Sequence, residues 1–158
     1  MEDLRQAHHH FSKVLHYLEN SPASSPKQVS RVCQNLMETS IGLSMRAREG
    51  AERKKRADQA LDYGKAALDN VLRCRDVCMI AQVQFMLACM SAWRVYLEAR
   101  VSGMEPRRHP GRERVEILMA ERLGELRAFQ NLDMEGYEAQ ARKYIGYLNK
   151  SPRNQGWE

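Results

Sequence analysis

Apolar positions recur every three or four residues along almost the whole chain, the period of a helix with one buried face. Leu4, Ala7, Phe11, Val14 or Leu15, and Leu18 make one such stripe, predicting a first helix from Glu2 to about Asn20. Val29, Val32, Cys33, Leu36, Ser40, Leu43 and Ala47 make a second. Ala57, Ala60, Leu61, Gly64, Ala67, Leu68 and Val71 make a third, from about Ala51 to Arg73. One stretch departs from the rule. Val77 to Leu97 reads VCMIAQVQFMLACMSAWRVYL, and only Gln82, Gln84, Ser91 and Arg94 are strongly polar. A helix apolar on every side must be covered on every side, by protein or by lipid. Its length suits a membrane span. The two glutamines and Arg94 would be costly against lipid, and the flanks continue as charged amphipathic helix, so a buried core helix is expected and no membrane.

Local punctuation supports these boundaries. In SPASSPKQ, Ser25 is placed as an N-cap, Pro26 as the first helical residue and Gln28 as the return arm of a capping box. Gly50 is expected to stop the second helix. SGMEPRRHPG is the one clear break in the second half. A fifth helix is expected after Pro110, carrying Val115, Leu118, Met119, Leu126 and Phe129, and a sixth after Asp133 as N-cap, with Tyr137, Ala141, Tyr144, Ile145 and Leu148 on one face. No segment alternates apolar and polar residues as a strand would. The expectation is an all-α fold of about six helices around a central apolar helix, as an antiparallel array or irregular bundle. Residues 1–150 form one helical domain in this reading, and 151–158 a flexible tail.

Composition narrows the function classes. The 158 residues are 43% apolar and 28% charged, enough for a real core in a soluble chain. The formal charge of +5 is mildly basic, compatible with acidic partners but far from the density of a nucleic-acid tail. Cys33, Cys74, Cys78 and Cys89 lie in or beside helical stripes without CxxC spacing, and the amino terminus MEDLRQAHHHF lacks the apolar core of a secretory signal. Together these point to reduced thiols in the nucleus or cytoplasm.

The third and fourth helices resemble a tetratricopeptide-type pair. Ala60 and Gly64 in ALDYGKAAL, and Ala81, Phe85 and Ala88 in AQVQFMLA, stand where that family nests two helices. Gly64 to Ala81 is about five residues longer than the strict repeat, Tyr63 precedes Gly64 rather than following it, and no second copy appears near the family's period. The resemblance covers about a third of the chain and implies a helical scaffold for protein binding. An ordinary helical hairpin would also want small residues there. A second, shorter likeness lies in WRVYLEARVSGMEPRRHPGRERV. Gly103, Met104, Glu105, Pro106, Arg107, His109 and Pro110 follow in order the turn of a helical family of nuclear exosome cofactors and ribosome-biogenesis factors, without that family's basic carboxy-terminal extension. It implies a nuclear, RNA-linked role.

Residues that could carry chemistry are few. His8, His9, His10 and His16 contain no pair at the three- or four-residue spacing that puts two ligands on one helix face, so no metal is expected. Cys74 and Cys78 are one turn apart but have no histidine nearby in sequence, and read as buried free thiols. Cys89 sits among apolar residues, where a thiolate is disfavoured. No phosphate loop, HExxH or nucleophile elbow is present, so neither an enzyme nor a cofactor is expected. Basic clusters occur at Arg46/Arg48, Arg53–Arg56, Arg73/Arg75 and Arg107–Arg114. Of these Arg53, Lys54, Lys55 and Arg56 could form an import signal or a phosphate-contacting patch, or a solvated helix start. Nine methionines suit adaptable apolar surfaces. Met79, Met86 and Met90 are expected to fill the core, and Met37, Met45, Met104, Met119 and Met134 to be freer for surface contacts.

The sequence therefore points to a non-enzymatic module, an adaptor or assembly subunit, that binds a partner helix or peptide. Tyr63, Met104, Met119 and Trp157 are the positions expected to contact that partner. The alternative is a nuclear factor contacting RNA or DNA through its basic helical face.

Overall fold

The computed structural model describes residues 1–150, and the regular elements in them are all helical. They are α1 (Glu2–Glu19), α2 (Pro26–Arg46), α3 (Gly50–Cys74), α4 (Val77–Val101), α5 (Arg112–Leu126) and α6 (Met134–Leu148), with one 3-10 turn at Pro106–Arg108. The expected all-α class and six helices are observed, most boundaries falling within a residue or two of the pattern. By their contacts the residues cluster into two compact units, Met1–Val83 and Gln84–Glu158, the division falling inside α4.

In the first unit the capping box forms in full. The Gln28 amide donates to Ser25 Oγ at 3.2 Å, and the Ser25 amide donates to Gln28 Oε1 at 2.9 Å. Gly50 does not stop α2. The chain turns extended at Ala47, and Gly50 is instead the first residue of α3. Two bonds tie these helix ends together. Ser44 Oγ donates to the Arg53 carbonyl at 2.6 Å, and Arg53 Nε donates to the Ala47 carbonyl at 2.6 Å. The second bond satisfies a carbonyl that α2's end would leave without an intrahelical partner.

At the far end of the hairpin, Ser30 Oγ donates to the Ala67 carbonyl at 2.8 Å. The two serine bonds thus pair residue 30 with 67 and residue 44 with 53, the same interval on both helices. That interval is two heptads, so α2 and α3 run antiparallel in a strict register. Met37 and Ala60 stand at its midpoint, both fully buried. A serine hydroxyl reaches a carbonyl on a neighbouring helix only when the axes come close, which small residues such as Ala57, Ala60 and Ala67 permit. The small-residue row of α3 is therefore engaged by α2, at Ala60 and Ala67 at least.

α1 lies on α2 with a looser fit. Leu4 Cδ1 approaches to 3.2 Å of where a side chain on Gly42 would begin, so the bare backbone admits it. No residue of α1 is fully buried. α3 ends at Arg75, a non-glycine residue in the left-handed region (φ 56°), and Asp76 caps α4 by accepting from the Met79 amide at 3.0 Å. That bond, then the Lys27 ammonium 3.3 Å away, holds the Asp76 carboxyl below its usual range.

In the second unit α4 is the core element. Phe85, Cys89, Met90, Ala92, Trp93, Tyr96, Leu97 and Ala99 are all buried. It is not covered all round, however. Gln84, Leu87, Ser91, Arg94 and Glu98, at alternating three- and four-residue steps, stay partly or fully exposed. Arg94 and Glu98 pair along this line at 3.1 Å, and Gln84 Oε1 accepts from Arg122 on α5 at 3.3 Å. Aromatic edges bind α6 to α4: Tyr137 meets Phe85 with centroids 5.5 Å apart, and Tyr147 meets Trp93 at 4.8 Å. Among the described residues α4 alone is long and apolar enough to cross a membrane by length and composition, with 56% of the relevant window buried in the protein.

The packed α2–α3 register leaves no room at its midpoint. Ala60→Leu is expected to destabilise the protein by about 1–3 kcal/mol through overpacking against Met37, measured as a lower urea midpoint at unchanged slope.

Candidate interaction surface

The structure sorts the expected contact residues differently from one another. Tyr63 is half-buried, its ring 6.0 Å from that of His8 in an edge-to-face arrangement, so it first serves to hold α1. Met104 is exposed at 38%. Met119, expected at a surface, is 1% exposed, because α5 turns it inward on the same stripe as Val115 and Leu126. Met37 is likewise fully buried, in the α2–α3 register. Trp157 lies outside the described residues. Within neither unit do these positions gather into one site.

The basic run also divides. Arg53 is 6% exposed, its guanidinium drawn in by the Ala47 carbonyl, so it is a tether between α2 and α3 rather than part of a surface patch. Lys54 and Lys55 are exposed. Arg56 is half-buried, donating to Glu52 Oε1 at 2.8 Å and to Gln59 Oε1 at 3.1 Å. Helix periodicity explains the split: positions 53, 57 and 60 share the inward face whatever their charge.

One open surface of the first unit was not singled out by the sequence pattern. An open groove of about 680 Å³ runs along the outer face of α1, lined by His9, Lys13, His16, Tyr17, Asn20 and Pro22 among others. Tyr17 is 71% exposed there. The signal was an aromatic residue on the polar side of α1, at helical spacing from His9, Lys13 and Asn20. Of the histidines, His8 does not face solvent freely: its Nδ1 lies 3.2 Å from Thr39 Oγ1 on α2. Burial, then the Arg56 guanidinium, pulls its pKa below the usual 6.5. No cluster of metal-ligating side chains occurs among the described residues.

The second unit contributes the turn after α4. Gly103 takes the left-handed conformation (φ 66°). The Met104 amide donates to the Ala99 carbonyl at 2.8 Å, and the Gly103 amide to the Arg100 carbonyl at 3.2 Å, a complete Schellman stop. Pro106 is buried, and His109 holds the approach to α5. Its Nδ1 accepts from the Gly111 amide at 3.0 Å, which puts the ring proton on Nε2, 3.3 Å from Glu98 Oε2. This turn is a built part of the unit, with Met104 on its surface.

The thiols are poor nucleophiles where they are buried. Burial raises Cys33 to about 11, with Glu19 adding to it, and Cys89 to about 12. Cys74 and Cys78 are only half-buried, a change from the expectation of a buried pair.

No family model matches the chain, and neither the curated proteins nor the solved structures give a match.

Two measurements check this placement. Arg53→Met is expected to cost about 2 kcal/mol by leaving a helix-end carbonyl unpaired. Lys54→Ala with Lys55→Ala is expected to change stability by no more than about 0.5 kcal/mol; denaturant titrations of both variants decide it. His8 gives a pH test. Its folded pKa lies below the unfolded one, so the unfolded chain binds the proton more tightly. Stability should therefore fall as pH drops below 6.5 and level off once the folded value is passed. His8→Gln should flatten that dependence in thermal melts across the same range.

Proposed function

We propose that this chain is a non-enzymatic protein-interaction module, an adaptor or assembly subunit, that receives a partner helix or peptide along the outer face of α1. One observation carries the reading: α1 is held on α2 yet has no buried residue, and it presents a groove with a largely exposed tyrosine outward. A rigid aromatic flanked by adaptable polar side chains is the composition of an interface anchor. The rigid α2–α3 hairpin beneath it supplies a fixed platform. The raised thiols of Cys33 and Cys89 favour structural over catalytic roles for these cysteines. In this reading the chain needs neither cofactor nor membrane and works in the nucleus or cytoplasm.

Both family resemblances fit the proposal as scaffolding. Of the tetratricopeptide-like residues Ala60 packs against α2 opposite Met37, as in an ordinary helical hairpin, so its burial does not favour that family over a plain hairpin. The turn from Gly103 to Pro110 is an ordered helix stop, which the likeness to exosome cofactors and ordinary helix termination would share. The rival reading, a nucleic-acid-associated nuclear factor, loses Arg53 from its basic face but keeps Lys54 and Lys55.

Affinity capture from cell extract with quantitative mass spectrometry separates the two. The expected outcome is a stoichiometric protein partner that Tyr17→Glu releases and Lys54→Glu with Lys55→Glu retains. Recovery of nucleic acid instead, released by the lysine changes and by modest salt, would favour the rival. A partner indifferent to Tyr17→Glu would remove α1 from the proposal.

A further inference from the structure

A cavity of about 670 Å³ lies in the first unit where the start of α1 meets the turn between α2 and α3. Four arginines line it: Arg5 from α1, Arg46 from the last turn of α2, Arg48 from the connecting residues and Arg56 from α3. Only two carboxylates, Glu49 and Glu52, share it. Glu52 is taken by Arg56 at 2.8 Å. Among the described residues, Arg5, Arg46 and Arg48 have no ion pair, and all three are exposed. The buried guanidinium of Arg53 bonds to the carbonyl of Ala47, itself a wall residue.

We propose that this cavity is a binding site for a phosphomonoester group, carried on a small organic phosphate or on a phosphorylated side chain. Guanidinium groups brought to one cavity repel each other, and a dianion removes that cost while accepting from several planar forks at once. Arg56 is already held by Glu52 and Gln59, so little of its freedom is lost on binding. The volume is that of a pocket for a small ligand or a single side chain. A polynucleotide fits less well, since no aromatic ring lines the walls to stack a base. The site stands apart from the proposed docking face on α1 and does not rest on it.

Calorimetric titration of the full chain tests it at fixed ionic strength, with inorganic phosphate, phosphoserine, a phosphoserine peptide, its unphosphorylated form and single-stranded oligouridylate. Phosphate and phosphoserine should bind, the unphosphorylated peptide should not, and Arg46→Gln with Arg48→Gln should weaken binding about tenfold or more, as loss of charge-assisted bonds requires. Lys54→Gln with Lys55→Gln should leave it unchanged. Arg5→Gln with Arg46→Gln gives an independent check, with helical circular dichroism confirming that each variant folds. A phosphopeptide that binds more tightly than free phosphate identifies a protein source, and equal affinities a small-molecule source. No binding of phosphate or phosphoserine overturns the proposal, as does binding that the arginine changes leave intact. Preference for the oligonucleotide with a steep salt dependence overturns it in favour of a nucleic-acid surface.

Discussion

The close approach of α2 and α3 is the constraint on which the first unit depends. Two serine hydroxyls, from Ser30 and Ser44, cross to carbonyls on α3, and each fixes the same register two heptads apart. Neither bond contributes more than about 1 kcal/mol net. Their larger effect is geometric, because a serine can reach across only if the facing positions are small. That requirement explains why α3 spends its inner face on alanines. It also explains why Arg53 is buried: the register places it at the closed end of the hairpin, where the Ala47 carbonyl needs a donor. The platform under α1 and the walls of the arginine-lined cavity both depend on this one register.

The second unit solves a different problem, that of burying a helix with little amphipathic character. α4 carries large aromatic side chains there, and α6 answers with Tyr137 and Tyr147 set edge-on against Phe85 and Trp93. One narrow line of α4, ending in the Arg94–Glu98 pair, is left to solvent. The chain then stops with a left-handed Gly103 and turns around a buried Pro106. His109 clasps Glu98 and the Gly111 amide, so the turn is locked to the end of the helix it terminates. A loop held this way presents Met104 at a fixed place.

Interaction surfaces and structural charge are thus separated by helix periodicity rather than by residue type. Arg53 and Lys54 are neighbours in sequence and belong to different worlds, one a tether and one solvated. Met119 and Met104 divide similarly. Tyr17, with His9, Lys13 and His16 beside it, is left outward by the fold, while Tyr63 is used to seat α1. The proposed docking face lies on α1 itself, and the arginine-lined cavity where the start of α1 meets the α2–α3 turn.

Much of the architecture was legible without coordinates. Stripes at helical spacing, the Ser25–Pro26–Gln28 signal and Asp133 located the helices, because these are local properties of backbone hydrogen bonding and side-chain period. The exposed line of α4 was also present in the spacing of Gln84, Ser91 and Arg94, though the apolar bulk around them hid it. Gly50 misled, since a glycine that can end one helix can equally begin the next when only three residues separate the two. What the sequence could not decide was which of several small or charged residues would meet across space. The α2–α3 register and the convergence of Arg5 on one cavity with Arg46, Arg48 and Arg56 each join residues distant in the chain. Such contacts are set by how helices pack on one another, and local propensity carries no information about that.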